Sequence, residues 1–437
     1  MTKLWTKGYH LDSIVEEFMA GDDPILDLRI AQYDCIGSIA HAKMLASISI
    51  ISQSECKQLT QSLHEIINLI QQNKFEIDLE QEDIHTAIEN YLTNKLGDIG
   101  KKIHTARSRN DQVLTALRLY TKDQLEDVYN LIIEFCETLH EFATKHKNIP
   151  YVGRTHFQKA MPSSIGLWSS AFIESLLDDI LLIKNAFEII DKCPLGSAAS
   201  YGVSLPIDRK FTSNLLGFSQ VHNNVLYANN SRGKYESIVI AALNQIMLDL
   251  SKLSTDIILF SIPEIGYFNL PLELCPGSSL MPNKKNPDPL ELIRAKSAIV
   301  SGYLMQVLEL SRALPSGYNR DFQESKKPLF LSFDTVSQSI SVANIIMKKI
   351  TVNNSMCIKS FSNEVFATDK ALQLSLNGVA FRDAYQEVAN NLNDVSLSDP
   401  ITNILNKTHL GATGNLGLDN LLEQIKLLKT NKLQGEI

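Results

Sequence analysis

The chain has 437 residues, 44% hydrophobic and 21% charged, the balance of an ordinary globular protein too long for one comfortable core. Its 41 basic and 49 acidic residues give a formal net charge of −8 without a long basic run, which argues against a nucleic-acid partner. Six scattered cysteines with no CxxC pair read as reduced thiols, so neither a disulfide frame nor a cysteine metal site is expected. The start, residues 1–8, lacks the apolar core of a secretory signal. The apolar stretch 238–260 includes Asn244, Gln245, Asp249, Lys252 and Asp256, which fits a buried helix and not a membrane span. A cytoplasmic protein with no membrane partner is expected.

In chain order, the first hundred residues read as short helices joined by polar turns. One candidate covers residues 27–44. A second, 53–72, places Leu59, Leu63, Ile66, Ile67 and Ile70 at helical spacing. Glu82-Asp83-Ile84-His85 opens another, with acids in the first turn where the helix dipole favours them. From Asp111 the helices become long. Leu114, Leu117, Leu125, Val128, Ile132, Phe135, Leu139 and Phe142 follow three- and four-residue steps, until Ile149-Pro150 disfavours the α region. Four more long patterns follow, from Pro162 to Cys193, Arg232 to Phe260, Pro289 to Leu314 and Pro328 to Ile350. No extended alternating pattern interrupts them, so the fold class is all-α. Three domains are expected: an N-terminal helical domain 1–110, a central five-helix bundle 111–350, and a small helical domain 351–437. The 238–250 stretch is apolar around most of its girth, which asks for more neighbours than one chain supplies and points to oligomerisation.

Four polar islands fall at the ends of the long helices. Residues 101–112 set Arg107 and Arg109 around Ser108, a fork geometry suited to carboxylates or, read plainly, an N-cap among solvated charges. Gly153-Arg154-Thr155-His156-Phe157-Gln158 puts a histidine among hydroxyl and amide groups in a turn. The segment 316–326 carries Tyr318, Gln323 and Lys326. The fourth island, 277–287, gathers a flexible Gly277, Ser278, Ser279, Lys284, Lys285 and Asn286 between two prolines. Turn chemistry this dense makes it a loop whose amides and cations can receive an oxyanion, unless it is only a solvated linker.

The string GSSLMPNKKNPD (277–288) resembles the signature loop of the fumarase/aspartase superfamily, whose enzymes release fumarate by elimination. Together with EDIH (82–85), SRNDQV (108–113), THFQKAMP (155–162), PLGSAA (194–199), SGYNRDFQESK (316–326) and ATDKAL near FRDAY (367–385), it resembles the argininosuccinate lyase branch along almost the whole chain. That resemblance implies a homotetramer of three-domain all-α subunits whose bundles form a shared helical core, with each active site drawing loops from three subunits. It implies argininosuccinate as the substrate, arginine and fumarate as products, and no cofactor or metal. Position by position, Ser278 is expected to take the proton, with Lys284 and the loop amides stabilising its alkoxide. His156 serves the leaving-group side with Glu291 as its carboxylate partner, and Asn286 holds a substrate carboxylate. Arg109, Asn110 and Thr155 bind the succinyl carboxylates; Tyr318, Gln323 and Lys326 meet the amino-acid end, and His85 lines the same pocket.

The chain departs from the family pattern at Gly8-Tyr9, in the 20–24 segment, at Arg154 where a tyrosine is usual, and at Ser231-Arg232-Gly233. These positions touch binding and support, not the proton-transfer groups. Two other readings compete: a sister lyase acting on adenylosuccinate or aspartate, and a non-catalytic helical oligomer.

Overall fold

The computed structural model describes residues 12–78, 81–396, 398–431 and 433. The Gly8-Tyr9 departure and the leader reading of residues 1–8 lie outside them. Helices α1 (Ala31–Ser47), α2 (Gln53–Gln71) and α3 (Ile84–Leu96) form the N-terminal part. The expected 27–44 helix is split, because Asp27–Arg29 winds as a 3-10 turn before α1 begins. The long helices are α4 (Arg109–His146), α5 (Ile165–Ile190), α6 (Lys234–Ser261), α7 (Asp288–Ser311) and α8 (Lys326–Lys349). Shorter helices α9 (Ala367–Leu376), α10 (Phe381–Asn390) and α11 (Leu418–Thr430) follow. All five long patterns are helices, as the spacing predicts.

One boundary is corrected. Pro162 does not start α5 but lies in an antiparallel hairpin, β1 (Pro150–Thr155) and β2 (Gln158–Ser164), inserted between α4 and α5. Proline is acceptable there because the strand pair has open edges. The helix begins instead where Ser164 accepts from the Leu167 amide at 3.1 Å.

In the bundle α4, α5, α6 and α8 pack in a ring, with α7 laid against α6 and α8. The core is continuous from Leu125, Ile132 and Phe135 through Ile173, Ile180, Leu243 and Ile246 to Phe330 and Phe333. Each such side chain contributes roughly 1.5–3 kcal/mol by leaving water. The α11 helix returns to this core through Leu421 and Ile425, while the Tyr129 hydroxyl donates to the Leu428 and Asn431 carbonyls at 2.8 and 2.9 Å. Two smaller clusters stand apart. One unites α1, α2 and α3 through Leu45, Leu59, Leu63 and Leu92; the other joins Val365, Phe366, Ala384 and Val388 to Val152 of the hairpin.

Windows in Lys234–Ser261 and Arg320–Lys349 are long and apolar enough to cross a membrane, but 56% and 61% of them is buried inside the chain, as in core helices. The all-round apolar α6 finds most of its neighbours within the subunit. The unpartnered apolar stripe lies on α7 instead. Leu290, Ile293, Val300 and Val307 face the bundle, while Leu292, Ile299, Met305 and Leu308 are 42–57% exposed on the opposite side. A stripe of this length marks an association surface. All six cysteines are buried and unpaired.

Candidate active site

The deepest polar cleft lies where helix starts converge. Asp83 caps α3 by accepting from the Thr86 amide at 2.8 Å, and its other oxygen takes Nη1 of Arg109 at 2.7 Å. Arg109 is the first residue of α4, whose start is closed by a capping box between Ser108 and Asp111. Asp111 also accepts from the Gly196 and Ala198 amides at 2.9 Å, so the PLGSAA loop serves to anchor α4. Two capped helix ends thus fix the positions of Arg109 and Asn110.

Lys326 opens α8 and is only 2% exposed, its Nζ lying 2.6 Å from both Asp23 and Asp27. Burial alone would push this ammonium toward neutrality, but Asp27 and Asp23 outweigh it and hold the pKa above the usual lysine value. Arg320 donates to Glu82 and to the Met19 carbonyl, both at 2.7 Å, and to Gln323 at 3.1 Å. Gln323 in turn donates to the Met19 carbonyl at 3.1 Å, tying the 316–326 segment to residues 19–20. His85 is buried with Nδ1 2.8 Å from Asp34. Burial opposes its charged form, yet Asp34, Asp83 and Asp27 together raise its pKa. Asp83 goes the other way: burial would raise it, and His85 and Arg109 hold it below the ordinary aspartate value.

These groups enclose a cleft of ≈530 Å³ lined by Asp23, Asp27, Glu82, Asp83, His85, Arg109, Asn110, Val113, Arg232, Tyr318, Arg320, Gln323 and Lys326. Six of the twelve residues expected to act at the site meet here: His85, Arg109, Asn110, Tyr318, Gln323 and Lys326. Thr155, His156, Ser278, Lys284, Asn286 and Glu291 do not line it.

His156 occupies the exposed tip of the hairpin. It and Phe157 take left-handed backbone, with φ of 52° and 60°, the pair of positive angles a tight primed hairpin turn requires. The Arg154 guanidinium reaches round the turn and donates to the Phe157 carbonyl at 3.1 Å. Where the family carries tyrosine, this chain therefore uses a side chain that braces the turn holding His156. Thr155 is exposed beside it.

The 277–287 loop is folded on itself. Gly277 bridges to Lys285, and the Asn286 amide donates to the Pro276 carbonyl at 3.1 Å. Ser278 Oγ accepts from the Leu280 and Met281 amides at 3.2 and 3.0 Å. Two amides aimed at one hydroxyl oxygen favour its anionic form, the requirement for a serine that takes a proton. Lys284 is exposed on the same loop, and Glu291 is exposed in the first turn of α7 that follows it.

Sequence reasoning missed Asp23, Asp27, Glu82, Asp83, Arg232 and Arg320 as cleft residues. Glu82, Asp83 and Arg320 stood inside quoted strings, so proximity to a motif was a usable signal. Asp27 meets Lys326 across 299 residues of chain, a pairing no local pattern announces. Among the described residues, no group of three or more His, Cys, Asp or Glu is placed to hold a metal ion.

Residues 12–302 match the family described as Lyase. The argininosuccinate lyase of Thermotoga neapolitana is 47% identical over 387 residues, covering 89% of this chain and 97% of the relative. That of Sorangium cellulosum is 37% identical over 423 residues, covering 97% and 98%. Among solved structures, EDDS lyase in complex with formate superposes with a TM-score of 0.80 at 21% identity over 97% of this chain and 92% of that one. A class II fumarase from Schistosoma mansoni gives 0.73 at 17% identity, covering 88% and 94%. The structural likenesses establish the all-α lyase fold, and the identities with whole relatives narrow it further: this chain belongs to the argininosuccinate lyase family of carbon–nitrogen lyases.

Proposed function

We propose that this enzyme cleaves argininosuccinate by β-elimination to arginine and fumarate, the arginine-forming step of arginine biosynthesis. The observation that carries the reading is one cleft uniting Arg109, Asn110, Tyr318, Gln323 and Lys326 in a chain 47% identical to an argininosuccinate lyase. Arg109, Asn110, Thr155 and Asn286 hold the succinyl carboxylates. Ser278 removes the proton from the carbon next to the carboxylate, and the charge moves onto that carboxylate as an aci-acid near Lys284. The C–N bond then breaks, and the guanidino nitrogen receives a proton from the His156 side, with Glu291 orienting the imidazole. The residues in these roles perform acid–base and electrostatic work only.

The same reading makes the enzyme a homotetramer with shared sites. The exposed Leu292, Ile299, Met305 and Leu308 stripe of α7 supports burial against other subunits. The separation of the His156 tip and the Ser278 loop from the cleft supports sites completed by partners. Six buried, unpaired thiols suit the reducing cytoplasm.

An ultraviolet assay of fumarate release, with argininosuccinate, adenylosuccinate and aspartate offered separately, tests the substrate. Fumarate from argininosuccinate alone is expected. Release from either of the others at a higher kcat/KM sinks the assignment, and no release from any of the three returns the chain to a non-catalytic role. A stable monomer by sedimentation at micromolar concentration removes the shared site.

A further inference from the structure

The cleft cations differ in how they are matched. Arg109 has Asp83 at 2.7 Å and Glu82 at 3.5 Å, and Arg320 has Glu82 at 2.7 Å. Lys326 has two carboxylates, Asp23 and Asp27, at 2.6 Å each. Arg232 has none. It is 5% exposed, lines the cleft, makes no hydrogen bond to a carboxylate among the described residues, and its Nε is buried without a partner. Its guanidinium lies 5.5 Å from the centre of the Tyr318 ring, an aromatic contact that steadies a cation without neutralising it. Gly233 follows it with φ of 77° and a Cβ there would sit 2.1 Å from Ser311 Oγ, so the backbone next to Arg232 excludes an acidic side chain.

Charge counting at this end of the cleft is then simple. Asp23 and Asp27 share one ammonium, which leaves one negative charge over, and Arg232 leaves one positive charge over. A surplus of one anion and one cation, both desolvated, is the complement of an α-amino-acid head with its ammonium and carboxylate. We propose that Arg232 receives the α-carboxylate of the substrate's amino-acid end and that the Asp23–Asp27 pair receives its α-ammonium. This deepens the reading of the enzyme as an argininosuccinate lyase and rests on it for the identity of the ligand. Burial, despite nearby Lys326, raises the Asp23 pKa, and an incoming ammonium would reverse that shift. The remaining charges facing Arg232 are Glu236, buried in the first turn of α6 and committed to the Gly233 amide at 2.6 Å, and Arg118 deeper in the bundle.

The test compares arginine with agmatine, which keeps the guanidinium and ammonium but has no carboxylate. Calorimetric binding is measured for the parent enzyme, Arg232→Lys and Arg232→Gln, each checked for native melting, with fumarate release followed in parallel. The parent is expected to bind arginine about ten- to a hundredfold tighter than agmatine, the range for a desolvated charge-assisted pair. Arg232→Gln should bring the ratio close to one, with Arg232→Lys between, and should raise KM for argininosuccinate more than it lowers kcat because the head is remote from the broken bond. A parent that shows no preference for arginine overturns the proposal whatever the variants do. A Gln variant that keeps the preference overturns it as well, while parental fumarate release in the same experiment leaves the lyase reading intact. A parent that prefers arginine but releases no fumarate supports the subsite and sinks the lyase reading.

Discussion

If each site joins the cleft of one subunit to the Ser278 loop of another, two crippled enzymes should rescue each other. Arg109→Ala removes a cleft cation that holds its carboxylate partner at 2.7 Å, and Ser278→Ala removes the hydroxyl that accepts two loop amides. Neither change touches the bundle core, so both proteins should still assemble. In a randomly mixed tetramer made from equal amounts, a site works when its cleft comes from the Ser278→Ala chain and its loop from the Arg109→Ala chain. Each choice is one in two, so about a quarter of parental sites are restored per subunit, in a closed assembly of equivalent copies. Dissociation and reassembly of the mixed proteins, followed by fumarate release, reads this out against each variant reassembled alone. Recovery near a quarter of parental activity is expected. Mixed protein no more active than the average of the two variants, with hybrid tetramers confirmed by native mass spectrometry, means that each chain completes its own site, and the shared arrangement is refuted.

Ser278→Ala alone should lower kcat by about two to four orders of magnitude, the scale for losing a positioned base, while arginine binding and melting stay near parental; full activity would remove Ser278 from the chemistry. Lys326→Met leaves Asp23 and Asp27 buried without their ammonium and should cost about 3–5 kcal/mol, seen as a lower urea midpoint, and an unchanged midpoint would mean the three charges are not coupled. Burial, with Asp249 and Asp178 nearby, pushes Asp179 up to about 8. The folded chain therefore keeps a proton that the unfolded chain has lost, and stability falls as pH rises from about 4, the unfolded aspartate value, to about 8. Asp179→Asn should melt above the parent at pH 8, with the advantage shrinking toward pH 4; a difference that does not vary with pH would show that Asp179 does not titrate this way.

The helices were legible because their cause is local. Apolar steps of three and four residues wrote α4 through α8 into the sequence, and Ile149-Pro150 and the N-cap serines set the ends. The hairpin was not legible, because its tip puts His156 and Phe157 in left-handed backbone that sequence convention reserves for glycine and asparagine. Half of the expected site residues converged because Arg109, Asn110 and Lys326 stand at helix starts whose caps were already visible. The acids that balance them were not legible. Asp23 and Asp27 sit in a short turn with no motif of their own, and their meaning comes from Lys326 arriving from the far end of the chain. The girth of α6 pointed correctly to close packing but to the wrong surface: its neighbours are α5, α7 and α8, and the stripe left open belongs to α7.

The division between cleft and loops has a physical logic of its own. The cleft is built from helix starts locked by capping bonds and ion pairs, so its groups are held in place whether or not a ligand is bound. It carries as many cations as carboxylates, which lets oppositely charged walls stand close without mutual repulsion. A zwitterionic substrate can exchange with such pairs at little electrostatic cost. The proton-transfer groups are placed differently, on an exposed loop jointed at Gly277 and at a hairpin tip braced by Arg154. Exposed groups are poorly suited to stabilising an aci-carboxylate, because water screens the field of Lys284. They gain that ability only when the loop closes over bound substrate and excludes solvent. Binding therefore belongs to the rigid half of the site and rate to the closing half. Changes in the cleft should move KM first, and changes in the loop should move kcat first.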